Sequence, residues 1–150
     1  MRPVWTRPVT TRTWRMPMRG LSFPSLIRGK GVIVGVVDQG LDFTHPNFYD
    51  KEGKAYRIKQ VWDQTSPYSK AEYRTEEELL DAACSFDSDV NTHGTHVTGI
   101  AAGGGFDTPY QGVANESDMI LVATTMQNSD IVDGVDYISR RARDWVDLAW

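Results

Sequence analysis

The chain has 150 residues, 40% of them hydrophobic and 24% charged, with a formal net charge of −4. This is the composition of one ordinary globular domain with material for a core, and it excludes a disordered chain. The charge is uneven: residues 1–30 hold seven basic residues and no acid, the rest nine basic and 20 acidic, a balance of −11 that argues against a nucleic-acid-binding body.

Residues 1–28 form a basic lead-in, broken by Pro3, Pro8, Pro17 and Pro24 and expected to be irregular. Arg or Pro interrupts it too often for the apolar centre of a secretory signal. Its Arg and Thr content is faintly like that of an organelle transit peptide; a disordered leader, a pro-segment remnant or sequence not native to the domain is the plainer reading. Residues 29–150 are the domain proper. Val32 to Val37 is a β-branched run without alternation, which predicts a strand buried on both faces, as in a parallel sheet. It ends at Asp38-Gln39-Gly40. A loop rich in Asp, Asn, Pro and Gly follows over 41–57, then a short strand from Ile58 to Trp62. Thr75 followed by Glu76, Glu77 and Glu78 marks a helix start. Cys84, the only cysteine, closes that amphipathic run as a buried, inert thiol; no internal disulfide can form.

A polar loop over 85–92 leads into "HGTHVTGIAA", which reads as a helix from His93 to Gly103 with Val97, Ile100 and Ala101 on one face. Gly103, Gly104 and Gly105 end it. Met119 to Ala123 is a strand. Ile131, Val135 and Ile138 mark a last helix, expected to end near Arg140, Arg141 and Arg143, where cations suit a helix C-terminus. Val146 to Trp150 would begin another element. Strand, strand, helix, helix, strand, helix is the order of an α/β layered sheet. No segment approaches the ~18 uninterrupted apolar residues of a membrane span.

Two places carry chemistry. Asp38 stands at the carboxyl end of a buried strand, where α/β sheets build their sites. The plain alternative is an Asp that ends a strand by accepting turn hydrogen bonds. A strand followed by Asp-x-Gly also opens the phosphate hairpin of actin-like ATPases, but no glycine-rich phosphate cradle follows here. His93 starts a helix, where backbone N–H groups disfavour the imidazolium, while a nearby carboxylate favours it; a ring held between the two suits a general base. A zinc pair is the other reading of His93 and His96, but metal pairs on helices usually sit at i, i+4 with a Glu between them, and here the spacing is three without a Glu. The metal-binding module is therefore the third reading. His96 alone reads as a packed residue donating to a backbone carbonyl, and His45 as structural.

The stretches "VIVGVVDQGLDFTHPNF" and "NTHGTHVTGIAAG", in that order, resemble the Asp and His motifs of the subtilisin-like serine peptidases, the subtilases. "GVANESDMILVA" and "DIVDGVDYI" fit the same layout. The resemblance implies a three-layer α/β fold with a mostly parallel sheet flanked by helices, of which this chain would be an incomplete, N-terminal part. It implies a serine endopeptidase, secreted or periplasmic, in which Asp38 and His93 are the triad Asp and His. It implies an extended protein or peptide substrate, with Thr124, Thr125, Met126 and Gln127 contributing to the groove. No cofactor is required. Structural calcium occurs in some subtilases, and Asn47 and Asp50 lie in a plausible loop without the carboxylate spacing of a calcium motif. Gln39 stands where the family usually has Ser or Thr, and Asn115 where Pro is common; both are read as neutral. The family's "GTSMA"-like nucleophile motif does not occur in these residues, and Ser117, Ser129 and Ser139 stand in other contexts. The expectation is that the isolated chain is inactive. The competing reading is a truncated or degenerate subtilase-fold protein that only binds.

Overall fold

The computed structural model describes residues 27–67 and 70–147; the expected lead-in falls outside it up to residue 26, as do the last three residues. The elements run β1 (Ile33–Asp38), a 3₁₀ turn (Pro46–Phe48), β2 (Ile58–Asp63), β3 (Ala71–Tyr73), α1 (Glu76–Ala82), α2 (His93–Ala102), β4 (Asp118–Ala123) and α3 (Asn128–Asp147). The sheet order is β1-β4-β2-β3, with β1, β4 and β2 mutually parallel and β3 antiparallel to β2. β3 is a correction to the sequence reading. Three residues with one apolar alternation give no strand signal; pairing of Ala71, Glu72 and Tyr73 to β2 creates it.

The central strand is β4, not β1. Met119 to Ala123 are fully buried. Met119, Leu121 and Ala123 face the cluster of Leu41, Phe43, Phe48, Val61 and Leu79, on the side of α1 and α2. Ile120 and Val122 face Tyr137, with Trp62, Ile138 and Trp145 packed around them under α3. β1 lies at the end of the sheet, and only Val36 and Asp38 of its six residues are buried, so the two-sided burial expected for it is realised in β4 instead. Apolar composition cannot separate the middle of a parallel sheet from its edge; the pairing order decides.

α1 has the expected capping box: the Thr75 hydroxyl accepts the Glu78 N–H, and the Glu78 carboxylate accepts the Thr75 N–H. α3 is a single helix through Asp147, so the arginines do not end it and no new element starts at Val146. Their charges are met elsewhere, Arg140 by Asp136 and Arg141 by Glu72 and Asp144. With no Gly or Pro after Ile138, nothing stops the helix. A buried arginine not singled out in the sequence, Arg57, donates to the carbonyls of Tyr49, Ala102 and Ser117, tying the end of α2 to the start of β4.

Candidate active site

The parallel register aligns the carboxyl ends of three strands, Asp38 and Asp63 each opposite Ala123. The two aspartates are put to different uses. Asp63 accepts from the Thr65 N–H, the Thr65 hydroxyl and the Phe86 N–H, which makes it the turn-building aspartate that was the plain alternative for Asp38. Asp38 has one oxygen, Oδ1, that accepts the Gln39 N–H at 2.7 Å and lies 2.8 Å from Nδ1 of His93, 55 positions along the chain. An ionised carboxylate can only accept, so in a neutral ring this contact calls for the proton on Nδ1 and leaves the lone pair on Nε2. The Asp38 side chain is 11% exposed and that of His93 65%, so the carboxylate is sheltered while the ring faces out.

The segment after β1 and the first turn of α2 hold this pair together. A helix start leaves its first N–H groups without helical partners. Here the His93 N–H donates to the Asn91 Oδ1, the Gly94 N–H to the Gln39 carbonyl at 2.6 Å, and the Thr95 N–H to the Gly40 carbonyl at 3.0 Å. Thr92, the residue before the helix, makes no side-chain cap bond. The close approach depends on two glycines. Gly40 has φ +70°, and a Cβ there would lie 1.9 Å from the Asn91 carbonyl oxygen. A Cβ on Gly94 would lie 2.7 Å from the Gln39 carbonyl oxygen. Across the loop, Asp87 accepts the Gly40 N–H and the Ser85 hydroxyl, and the Ser85 hydroxyl accepts the Leu41 N–H.

The buried stripe of α2 is Gly94, Thr98 and Ala102; of the apolar face expected from Val97, Ile100 and Ala101, Val97 and Ala101 pack half-buried against the core, and Ile100, 58% exposed, is the correction. Small residues let the helix sit close on β1, Val97 packs at the margin of the core, and Ile100 points away. His96 is exposed and makes no ring hydrogen bond among the described residues, so it is not the packed donor to a carbonyl that was expected. It lines a groove of about 920 Å³ with His45, Ile100, Tyr110 and Val113. The His45 ring accepts the Asn47 N–H and stacks near Phe48, a local capping role. Cys84 is half-buried, more open than expected, and its backbone bridges to Asp42.

Thr124 continues the ladder beside the pair, its N–H donating to the Asp38 carbonyl at 2.9 Å, and it is fully buried. Thr125, Met126 and Gln127 are exposed, with Met126 at φ +65°, and the Thr125 hydroxyl is bonded to the Asp130 carboxylate at the start of α3. The Asn47 Oδ1 accepts the Gly105 N–H and the Asp50 carboxylate accepts the Lys54 N–H, so both carry backbone turns. Among the described residues, no three His, Cys, Asp or Glu side chains are grouped to hold a metal ion. Two further residues, Asn91, which the sequence reading passed over, and Gln39, which it read as neutral, touch the pair. Asn is a favoured cap residue, and its place two positions before His93 is the signal that could have found it.

Residues 29–148 match the family model described as Subtilase family. The chain is 31% identical over 125 residues to the subtilisin-like serine protease Cla h 9.0101 of Davidiella tassiana, covering 80% of this chain and 19% of that protein. It is 30% identical over 128 residues to the halolysin-like extracellular serine protease Nep of Natrialba magadii, covering 79% and 20%. Among solved structures, the CspB protease of Clostridium perfringens superposes with a TM-score of 0.62 at 26% identity, covering 79% of this chain and 27% of that one. The chain thus spans about a fifth of the length of the curated relatives it matches. The mostly parallel sheet with helices on both faces is the subtilisin-like α/β fold, and the chain belongs to the subtilase family.

Proposed function

We propose that this chain supplies the Asp–His half of a serine endopeptidase site, with His93 as general base and Asp38 as its orienting carboxylate. The observation that carries the reading is the 2.8 Å contact between His93 Nδ1 and Asp38 Oδ1 at the open end of a parallel sheet. A serine hydroxyl brought to Nε2 gives its proton to His93 as its oxygen attacks a peptide carbonyl; the ring then protonates the leaving amine. Asp38 fixes the tautomer and stabilises the imidazolium. The substrate is an extended peptide, and the exposed Thr125, Met126 and Gln127 beyond β4, with the buried Thr124 anchoring them, form part of its groove. Neither cofactor nor metal enters this scheme. The extracellular relative supports a secreted protein.

The nucleophile and the oxyanion donors are not among these residues, so the isolated chain forms no acyl-enzyme. A protein containing residues 29–148 together with a GTSxA segment is expected to be labelled by a fluorophosphonate. His93→Ala in that protein should slow labelling by about 10⁴-fold or more. Undiminished labelling would remove His93 from the mechanism. Rapid labelling of the isolated 150-residue chain, abolished by the same substitution, would overturn its inactivity.

A further inference from the structure

From the hydrogen bonds around the pair, we infer that Gln39 and Asn91 are positioning residues that clamp the Asp38-bearing turn to the His93-bearing helix. The clamp deepens the proposed function and rests on its assignment of His93. The Gln39 side chain Oε1 accepts the Asn91 Nδ2–H at 3.1 Å. Both bridged residues then touch the pair directly. The Gln39 N–H donates to Asp38 Oδ1 at 2.7 Å, the oxygen that faces His93. The Asn91 Oδ1 accepts the His93 N–H at 2.9 Å. The result is a closed ring through Asp38, Gln39, Asn91 and His93, made of one contact from each residue to the next. Both side chains are half-buried, so the bond between them is partly shielded from water.

Length decides which residue can do this. Asn91 is spoken for on its oxygen by His93, so only its amide N–H₂ can reach the strand side. A Ser or Thr at position 39 ends two bonds nearer the backbone than the Gln amide. Gln39 was neutral as a proton carrier; as a reaching acceptor it closes the ring. The carbonyl of the same residue receives the Gly94 N–H, so a rotation of the Gln39 peptide would disturb the start of α2 as well as the carboxylate. The clamp therefore acts on the orientation of the imidazole rather than on the substrate.

The test reads the ring and needs no hydrolysis. Ring nitrogen chemical shifts of His93 in the isolated chain, at a pH where the ring is neutral, give the ratio of Nδ1–H to Nε2–H tautomers. The parent is expected to be mainly Nδ1–H. Gln39→Met keeps the length and removes the acceptor; it should lower that ratio about fivefold, the worth of one neutral hydrogen bond. Asn91→Ser keeps an oxygen that can accept the His93 N–H but is too short to reach Gln39, and serves if the first variant folds poorly. The double variant should be no worse than the more affected single variant, because both break the same link. A ratio unchanged in both single variants overturns the clamp, as does simple addition of their effects. A parent without Nδ1–H preference overturns it too, along with the pairing. A chain that passes this test while a serine-containing protein ignores His93→Ala keeps the clamp and loses the proposed function.

Discussion

The two long helices cover opposite faces of one sheet and are built on opposite principles. α2 buries Gly94, Thr98 and Ala102, a stripe with little side chain, and leaves Ile100 outside. α3 buries Tyr137 against the sheet with Ile138, Ala142 and Trp145 packed beside it, at the three-and-four spacing of an amphipathic helix. α3 is fixed by the area that it covers. α2 is fixed by the backbone bonds at its first turn, where the Gln39 and Gly40 carbonyls receive its N–H groups. A helix held by its end, close to a strand terminus, places its first side chain with little freedom, and that side chain is His93.

The same substitution in each helix should expose the difference. A Cβ at Gly94 would lie 2.7 Å from the Gln39 carbonyl oxygen, 2.9 Å from Leu41 Cδ2 and 3.2 Å from Asp38 Cβ. Two of these atoms belong to the Asp38-bearing segment itself, so α2 must lift from it. Gly94→Ala is expected to cost about 2–3 kcal/mol despite the helix propensity gained. At Gly134 the new Cβ would meet Val122 and Val37 methyl carbons at 3.1 to 3.4 Å, which can give slightly. Gly134→Ala is expected to stay within about 1 kcal/mol of the parent, because propensity offsets crowding. Urea denaturation of both variants checks the pair; equal losses would mean that α2 is not held at its end.

These two regions also differ in how far they can be read from sequence. Asp38, His93 and the elements carrying them follow from an apolar run that stops at an acid and from "HGTH" at a helix start. The closeness of α2 to β1 was half legible: the glycines and alanines show that close packing is allowed, but not which stripe is buried, because periodicity ranks Ile100 above Thr98. On the α3 side the apolar spacing gave the helix, while the arginines misled about its end. Asp136 and Asp144 stand at local helical spacing from Arg140 and Arg141, whereas Glu72, 69 positions from Arg141, is visible only once β3 exists. Asp63 and the link between Gln39 and Asn91 were hidden for the same reason. Asp63 reaches Phe86 across 23 positions and Gln39 reaches Asn91 across 52, contacts with loop residues that the fold brings together and no local pattern marks.

Glu72 gives the α3 side its one concentrated electrostatic feature. Its carboxylate accepts from the Arg74 and Arg141 guanidinium groups and from the Tyr137 hydroxyl. Burial alone would raise its pKa; the hydrogen bonds from Arg74 and Tyr137 and the two arginine charges outweigh burial and hold it below the ordinary glutamate value. The same carboxylate, after burial, keeps the Tyr137 hydroxyl protonated well above the usual range. A carboxyl depressed in the folded state adds stability that is complete above its unfolded pKa and disappears as the pH falls through the folded one. Glu72→Gln should therefore cost about 1 kcal/mol at pH 7, the partly exposed arginines limiting the loss. The gap between parent and variant should close on acidification below the ordinary glutamate range. Denaturation midpoints of the two proteins across that range read the gap directly; a gap that persists in acid would mean that shape, not charge, is what Glu72 contributes.

The smallest effect belongs to His96, one turn from His93 on the same helix. His93 has its Nδ1–H on a sheltered carboxylate, whereas the His96 ring is exposed and bonds to nothing among the described residues. An exposed side chain without a partner has little to lose on truncation. His96→Ala is expected to leave the stability of this chain within about 0.5 kcal/mol of the parent, helped slightly by the better helix propensity of alanine. Zinc added to the parent should then give no stabilisation that His96→Ala removes. A zinc-dependent rise in the parent's melting temperature, lost in the variant, would restore the paired-histidine metal site, with His93 offering Nε2 to the metal while Asp38 holds its Nδ1–H.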